Sequence, residues 1–242
     1  LFIFYGLAYV NLKDQIYLSY SMYLFVTFFQ VLYMSQYIFS KNFVMFNYFG
    51  NSGFDEATKG MMIVTYSIFY QQAFNIRKQQ RVLYASVESL KYFSYAYIAI
   101  IAISYLFRCD WYDEQLWYTL YRFPIFFFSI IVLIYSILLK EKTGFQRLIL
   151  TGSLIYTLFT AFTTFQKADY PVKDLLPAIN GLYLGVALEL MVFSIALGIR
   201  MRDSFLGTEK LKDKLIVELQ QNEEFIKNEN IILEEKVKDR LS

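Results

Sequence analysis

Leu175–Asp203 reads LLPAINGLYLGVALELMVFSIALGIRMRD. A helix needs about 17 to 25 apolar residues to cross hydrocarbon, and Leu175–Ile199 supplies such a run with a single ionisable side chain, Glu189, inside it. Arg200, Arg202 and Asp203 follow at once, so the apolar run stops at a charged boundary. Working back along the chain, further runs of this kind occupy Ile16–Phe39, Gly60–Ile76, Tyr92–Phe107, Trp117–Leu139 and Leu148–Phe165, with a shorter one at Leu1–Val10. The sequence therefore predicts an all-α membrane protein: a bundle of seven transmembrane helices, the first truncated. Leu1–Val10 lacks the basic start and small-residue cleavage site of a signal peptide. The chain opens without Met inside an apolar run and stops in a charged helical pattern, so a fragment of a longer protein is expected.

Composition agrees with a lipid solvent. Only 18% of the 242 residues are charged while 57% are hydrophobic, whereas soluble domains carry about one quarter charged residues. Histidine is absent and Cys109 is the sole cysteine, which removes imidazole catalysis, His-ligated metals and an intrachain disulfide. No cofactor, metal or nucleic-acid partner is expected for this segment. The net charge of +2 hides two unlike parts: residues 1–203 carry 16 Lys and Arg against 12 Asp and Glu, and residues 204–242 carry 7 against 9. Two domains are expected, a membrane bundle over 1–203 and a cytoplasmic helix over 204–242.

Basic residues in short loops stay on the cytoplasmic side. One set of loops holds nine, Lys13, Arg77, Lys78, Arg81, Lys140, Lys142, Arg147, Arg200 and Arg202, while the other holds five, Lys41, Lys59, Arg108, Lys167 and Lys173, among more numerous acids. The N-terminal side is thus expected outside a cell (inner) membrane and the C-terminus in the cytoplasm.

Ionisable groups at mid-depth are costly and mark packed or wet sites. Arg122 lies about 7 Å inward from Trp117, near enough to snorkel to the headgroups. Glu189 lies about 21 Å from Leu175 and is out of reach of water by that route. It continues the ridge Gly181-x-x-x-Gly185, whose small residues permit close helix approach. Its carboxyl is expected to be protonated, facing the bundle interior and hydrogen-bonded to Gln71 and Gln72 of the third crossing or Ser153 and Thr157 of the sixth. The functional reading is a gate, proton relay or conformational latch; a packing hydrogen bond is the alternative.

Beyond Asp203, core-like positions fall at Leu211, Leu215, Leu219, Asn222, Ile226, Asn230, Leu233, Val237 and Leu241, a four-four-three spacing amid Glu and Lys. An eleven-residue period predicts a nearly straight or slightly right-handed supercoil, and seam asparagines specify register. A helix of this kind seldom stands alone in water, so a homodimeric coiled coil is expected.

Gly185–Asp203 (GVALELMVFSIALGIRMRD), the closing NIILEEKVKDRLS, and the Lys13-Asp14 turn followed by Tyr17 and Tyr20 resemble the bacterial seven-transmembrane receptors with diverse intracellular signalling modules. Leu233-Glu234, Val237 and Arg240 look like the LE-x-x-V-x-x-R pattern before the dimerisation domain of sensor histidine kinases, with Leu241 where that pattern has Thr. The resemblance implies an extracellular sensory domain before these residues and a cytoplasmic output domain after them, with the bundle relaying between the two. A passive dimerising anchor and a small-solute transporter are the alternatives. A retinal protein is disfavoured, because no Lys stands between Asp174 and Arg200 for a Schiff base. Reporter fusions after Ser40, Arg108 and Lys167 are expected to read outside, and fusions after Gln79, Lys142 and Ser242 inside; the inverse pattern would overturn the orientation.

Overall fold

The computed structural model describes residues 1–35, 52–76, 80–107, 114–139, 142–169 and 176–241. Among them are seven α-helices and no strand: α1 (Phe2–Leu12), α2 (Gln15–Ser35), α3 (Ser52–Ala73), α4 (Arg81–Phe107), α5 (Glu114–Leu138), α6 (Gly144–Asp169) and α7 (Leu176–Leu241). Helices adjacent in sequence pack on one another from α1 through α6, as short connections dictate.

The ends of these helices are closed by their own residues. Lys13 adopts a left-handed conformation after α1, and Asp14 Oδ1 accepts from Ile16 N at 3.1 Å at the start of α2, so two residues reverse the chain. Asn75, also left-handed, ends α3: Ile76 N donates to Gln71 O and Asn75 N to Gln72 O, the pair of bonds that makes a Schellman cap. At α6, Thr143 and Gln146 each accept from the other's backbone N–H at 3.2 and 3.1 Å, a capping box. Gln146 Nε2 also donates to Ala73 O, tying the start of α6 to the end of α3. Lys142 Nζ caps the last carbonyls of α5, those of Ile137 and Leu139.

Several helices are longer than their apolar windows. The third begins at Ser52 rather than Gly60, taking in Glu56 and Lys59, and the fourth at Arg81 rather than Tyr92, taking in Glu88 and Lys91. Polar side chains paired within the helix do not interrupt it. Pro124 lies inside α5, which starts at Glu114. Of the loop residues used for orientation, Lys41, Arg77, Lys78, Arg108, Lys140 and Lys173 lie outside the described residues.

By length and hydropathy, two described helical stretches are long and apolar enough to cross a membrane, Gly144–Phe162 and Leu184–Asn230. Six full spans were expected. That number concerns the described residues alone, in which Phe2–Leu12 and Pro124–Leu138 are shorter apolar helices. The core is mostly apolar, with Ile16, Leu24, Val64, Phe69, Ile149 and Phe193 buried, yet polar side chains share it and large apolar ones lie outside. Ser67, Ser94, Ser136, Ser153 and Glu189 are buried, while Phe4, Leu7, Phe127, Leu158 and Met191 are exposed.

The chain separates into two units, Leu1–Phe193 and Ser194–Ser242. In the first unit an aromatic core joins α2, α3 and α7: Tyr20, Phe69 and Phe193 lie pairwise 5.2 to 6.1 Å apart between ring centres, within the range of favourable aromatic contact. Helices α6 and α7 meet at glycines. A Cβ on Gly185 would lie 2.6 Å from Phe159 Cβ, and one on Gly152 would lie 2.6 Å from Phe193 Cε1. Overpacking of this kind costs about 1 to 3 kcal/mol, against about 1 kcal/mol gained in helix propensity. In thermal unfolding of the detergent-purified protein, Gly185→Ala is expected to lower the midpoint most, because Phe159 Cβ cannot rotate away. Gly152→Ala should lower it less, and Gly144→Ala, whose methyl meets nothing, should leave it in place.

Candidate functional site

Glu189 is 0% exposed in the first unit. Its Oε2 accepts from Tyr23 Oη at 2.8 Å. One turn earlier on α2, Tyr20 Oη donates to Leu190 O at 3.2 Å. Residues three apart share a helix face, so one face of α2 grips consecutive residues of α7. Helix α3 brings Tyr66, whose ring meets that of Tyr23 edge to face at 5.5 Å and whose hydroxyl donates to Ser153 Oγ of α6 at 2.7 Å. Gly152 allows the approach, since a Cβ there would lie 3.5 Å from Glu189 O as well as against Phe193. Helices α2, α3, α6 and α7 thus converge on one carboxyl.

The expected residues are only partly brought together. Ser153 is buried beside the Glu189 turn and bonded to Tyr66; Thr157 donates to Ser153 O at 2.8 Å. Gln71 and Gln72 are engaged elsewhere. Gln71 Oε1 accepts from Lys91 Nζ at 3.0 Å, and Lys91 also pairs with Glu88 at 2.7 Å. Gln72 Oε1 accepts from Ser19 Oγ at 2.7 Å. The bond expected between these amides and Glu189 is instead made by Tyr23: Gln71 and Gln72 lie about 8 to 9 Å further along α3 than Tyr66, too far along the axis to reach the carboxyl. The backbones of Arg122 and Gly181 fall in α5 and α7, but their side chains lie outside the described residues, as do those of Val237 and Leu241. The seam residues Leu211, Leu215, Leu219, Asn222, Ile226, Asn230 and Leu233 lie on α7 and are exposed in the single chain.

Tyr23 was missed, though the Tyr17, Tyr20, Tyr23 spacing along one face of an apolar helix was visible, and a buried tyrosine hydroxyl seeks a partner. A second polar cluster was missed altogether. Glu56 is 4% exposed in α3; it pairs with Lys59 Nζ at 2.6 Å and accepts from Tyr97 Oη of α4 at 2.6 Å. Tyr97 stacks on Tyr121 of α5 at 3.9 Å between nearly parallel rings. The Tyr121 hydroxyl lies 3.1 Å from Ser94 Oγ, and since Ser94 gives its proton to Leu90 O, Tyr121 is the donor. The signal available was Glu56-x-x-Lys59, a pair at helical spacing.

Seven helices among the described residues, large apolar side chains on the outside and polar groups inside fastened by tyrosines fit the class of helical membrane domains. The particular family follows from comparison: residues 1–200 match the family model described as 7TM diverse intracellular signalling, and the chain belongs to that family of membrane proteins. No curated protein and no solved structure matches the chain.

The Tyr23–Glu189 bond is expected to contribute about 1 kcal/mol, the scale of interhelical hydrogen bonds in membranes. In a double-mutant cycle of Tyr23→Phe and Glu189→Leu, which removes the acceptor, thermal stability in detergent should show a coupling of that size, whereas strict additivity would mean that the two side chains do not interact.

Proposed function

We propose that this chain is the transmembrane signal-transducing module of a bacterial sensory receptor, relaying a signal from an extracellular sensory domain to a cytoplasmic output domain of the same polypeptide. A sensor histidine kinase is the output that Leu233-Glu234, Val237 and Arg240 fit. The family match supports the signalling role. The excess of basic residues in one set of loops supports an N-terminal side outside the cell membrane and a cytoplasmic C-terminus.

The observation that carries this reading is α7 itself. Glu189, gripped from α2, and the seam positions from Leu211 onward belong to one helix, Leu176–Leu241. A ligand that favours one of two bundle packings shifts the population toward it, and rotation or axial sliding of α7 is a small motion that a packed bundle permits. In the stalk, Leu211 is 68% exposed and Leu215, Leu219, Ile226 and Leu233 are more than half exposed. A row of large apolar side chains at coiled-coil spacing, amid Glu and Lys, calls for a second copy of the same helix. Membrane lipid covers the apolar outside of the bundle.

Two measurements test the reading. Single cysteines placed between Leu211 and Leu241, with Cys109 changed to Ser, are expected to cross-link in membranes with maxima at the seam and an eleven-residue repeat. Asn222→Leu with Asn230→Leu should strengthen the dimer and blur its register; a flat cross-linking profile removes the dimer. In the full-length receptor at matched membrane levels, Glu189→Gln is expected to lock the output in one state, because it removes titration while keeping size. Ordinary signalling from both Glu189→Gln and Glu189→Leu would mean that the carboxyl is not a latch.

A further inference from the structure

The hydroxyl protons around Glu189 are committed. Tyr23 donates to Glu189 Oε2, Tyr66 to Ser153 Oγ, Ser153 to Ile149 O and Thr157 to Ser153 O. What remains at the site is a surplus of oxygen lone pairs. Glu189 Oε1 is buried and has no hydrogen-bond partner among the described residues. The groups that face the carboxyl are Tyr23 from α2, Tyr66 from α3 and Ser153 from α6, with Tyr156 of α6 in electrostatic reach of both tyrosines; none is a cation. Among the described residues of the first unit, Lys59 and Lys91 have carboxylates of their own in Glu56 and Glu88. A carboxylate with one bare oxygen and no counter-charge among the described residues is strongly disfavoured in an apolar interior. A water donating to Oε1 would satisfy the lone pair and leave the charge unbalanced. The missing component is therefore a positive charge small enough to fit between four packed helices.

We propose that Glu189 Oε1 is the seat of one exchangeable monovalent cation, a proton or a sodium ion, and that its presence or absence sets how α7 packs against α2 and α6. The regulatory part rests on the latch reading of Glu189; the occupancy part stands on the hydrogen-bond accounting alone. With the cation in place the carboxyl is neutralised and the Tyr23 bond keeps α2 on α7. When the cation leaves for water, no covalent bond other than O–H is broken and no other group changes charge. The uncompensated carboxylate then draws water into the bundle.

The test uses the full chain in lipid nanodiscs. If the occupant is a proton, the infrared difference between wild type and Glu189→Gln contains the carbonyl-stretch band of a protonated carboxylic acid, shifted by exchange into deuterated water and unchanged in Glu56→Gln. If it is sodium, radioactive sodium binds stoichiometrically, raises the unfolding midpoint relative to choline at equal ionic strength, and does neither in Glu189→Gln. Should Glu189→Gln fail to fold, Glu189→Asp, which keeps the carboxyl, is expected to retain the band or the sodium binding. Absence of both signals from wild type overturns the proposal. Neither readout involves signalling, so normal output from Glu189→Gln in the full-length receptor would sink the latch and leave the occupancy standing.

Discussion

Polar groups in this bundle must find partners inside it, because its outside is apolar. The bond between Tyr23 and Glu189 is where that constraint presses hardest. Helix α7 carries a carboxyl that is wholly buried, and a hydroxyl brought from another helix meets one of its oxygens. Tyrosine is well suited to this, since its ring fills apolar space and its hydroxyl reaches past the helix surface. Close approach of α6 then requires Gly152 and Gly185, since any Cβ would push the helices apart before those bonds could form.

The same logic recurs at other levels of the bundle. Glu56, Tyr97, Tyr121 and Ser94 link α3, α4 and α5, and Ser19, Gln72, Gln71, Lys91 and Glu88 link α2, α3 and α4. Serine and threonine mostly give their protons to carbonyls of their own helix, as Thr27, Thr65, Ser86, Ser94, Ser136 and Thr157 do. Bonds between helices fall mainly to tyrosine, glutamine and lysine, with Ser19, Ser21 and Thr58 also donating across. A bundle joined this way is held by few, directional contacts rather than by apolar area, which in lipid offers little preference for helix over tail.

Helix number was legible in the sequence because apolar runs of sufficient length announce themselves whatever they pack against. Helix ends were not, because Glu56, Lys59, Glu88 and Lys91 look like loop residues until their pairing inside a helix is seen. Glu189 stood out as an acid in an apolar run, and Gly185 as a place of close approach, since both signals are local. The partner of Glu189 was not legible: choosing Tyr23 over Gln72 requires knowing which face of α2 meets α7, which periodicity within one helix does not contain. The seam of the stalk was readable as a pattern, while the second copy proposed to cover it lies outside a single chain.

The Schellman cap at Asn75 has a mechanical consequence. A helix whose last carbonyls are left open can lengthen or shorten by a turn at little cost, absorbing strain as it does so. With Ile76 and Asn75 bonded back to Gln71 and Gln72, and Ala73 O taken by Gln146, α3 has no slack at that end. Force applied along it cannot be dissipated by unwinding and must appear as displacement of the whole rod, with the first turn of α6 carried along. In a device that transmits motion, that terminus works as a rigid coupling rather than a spring.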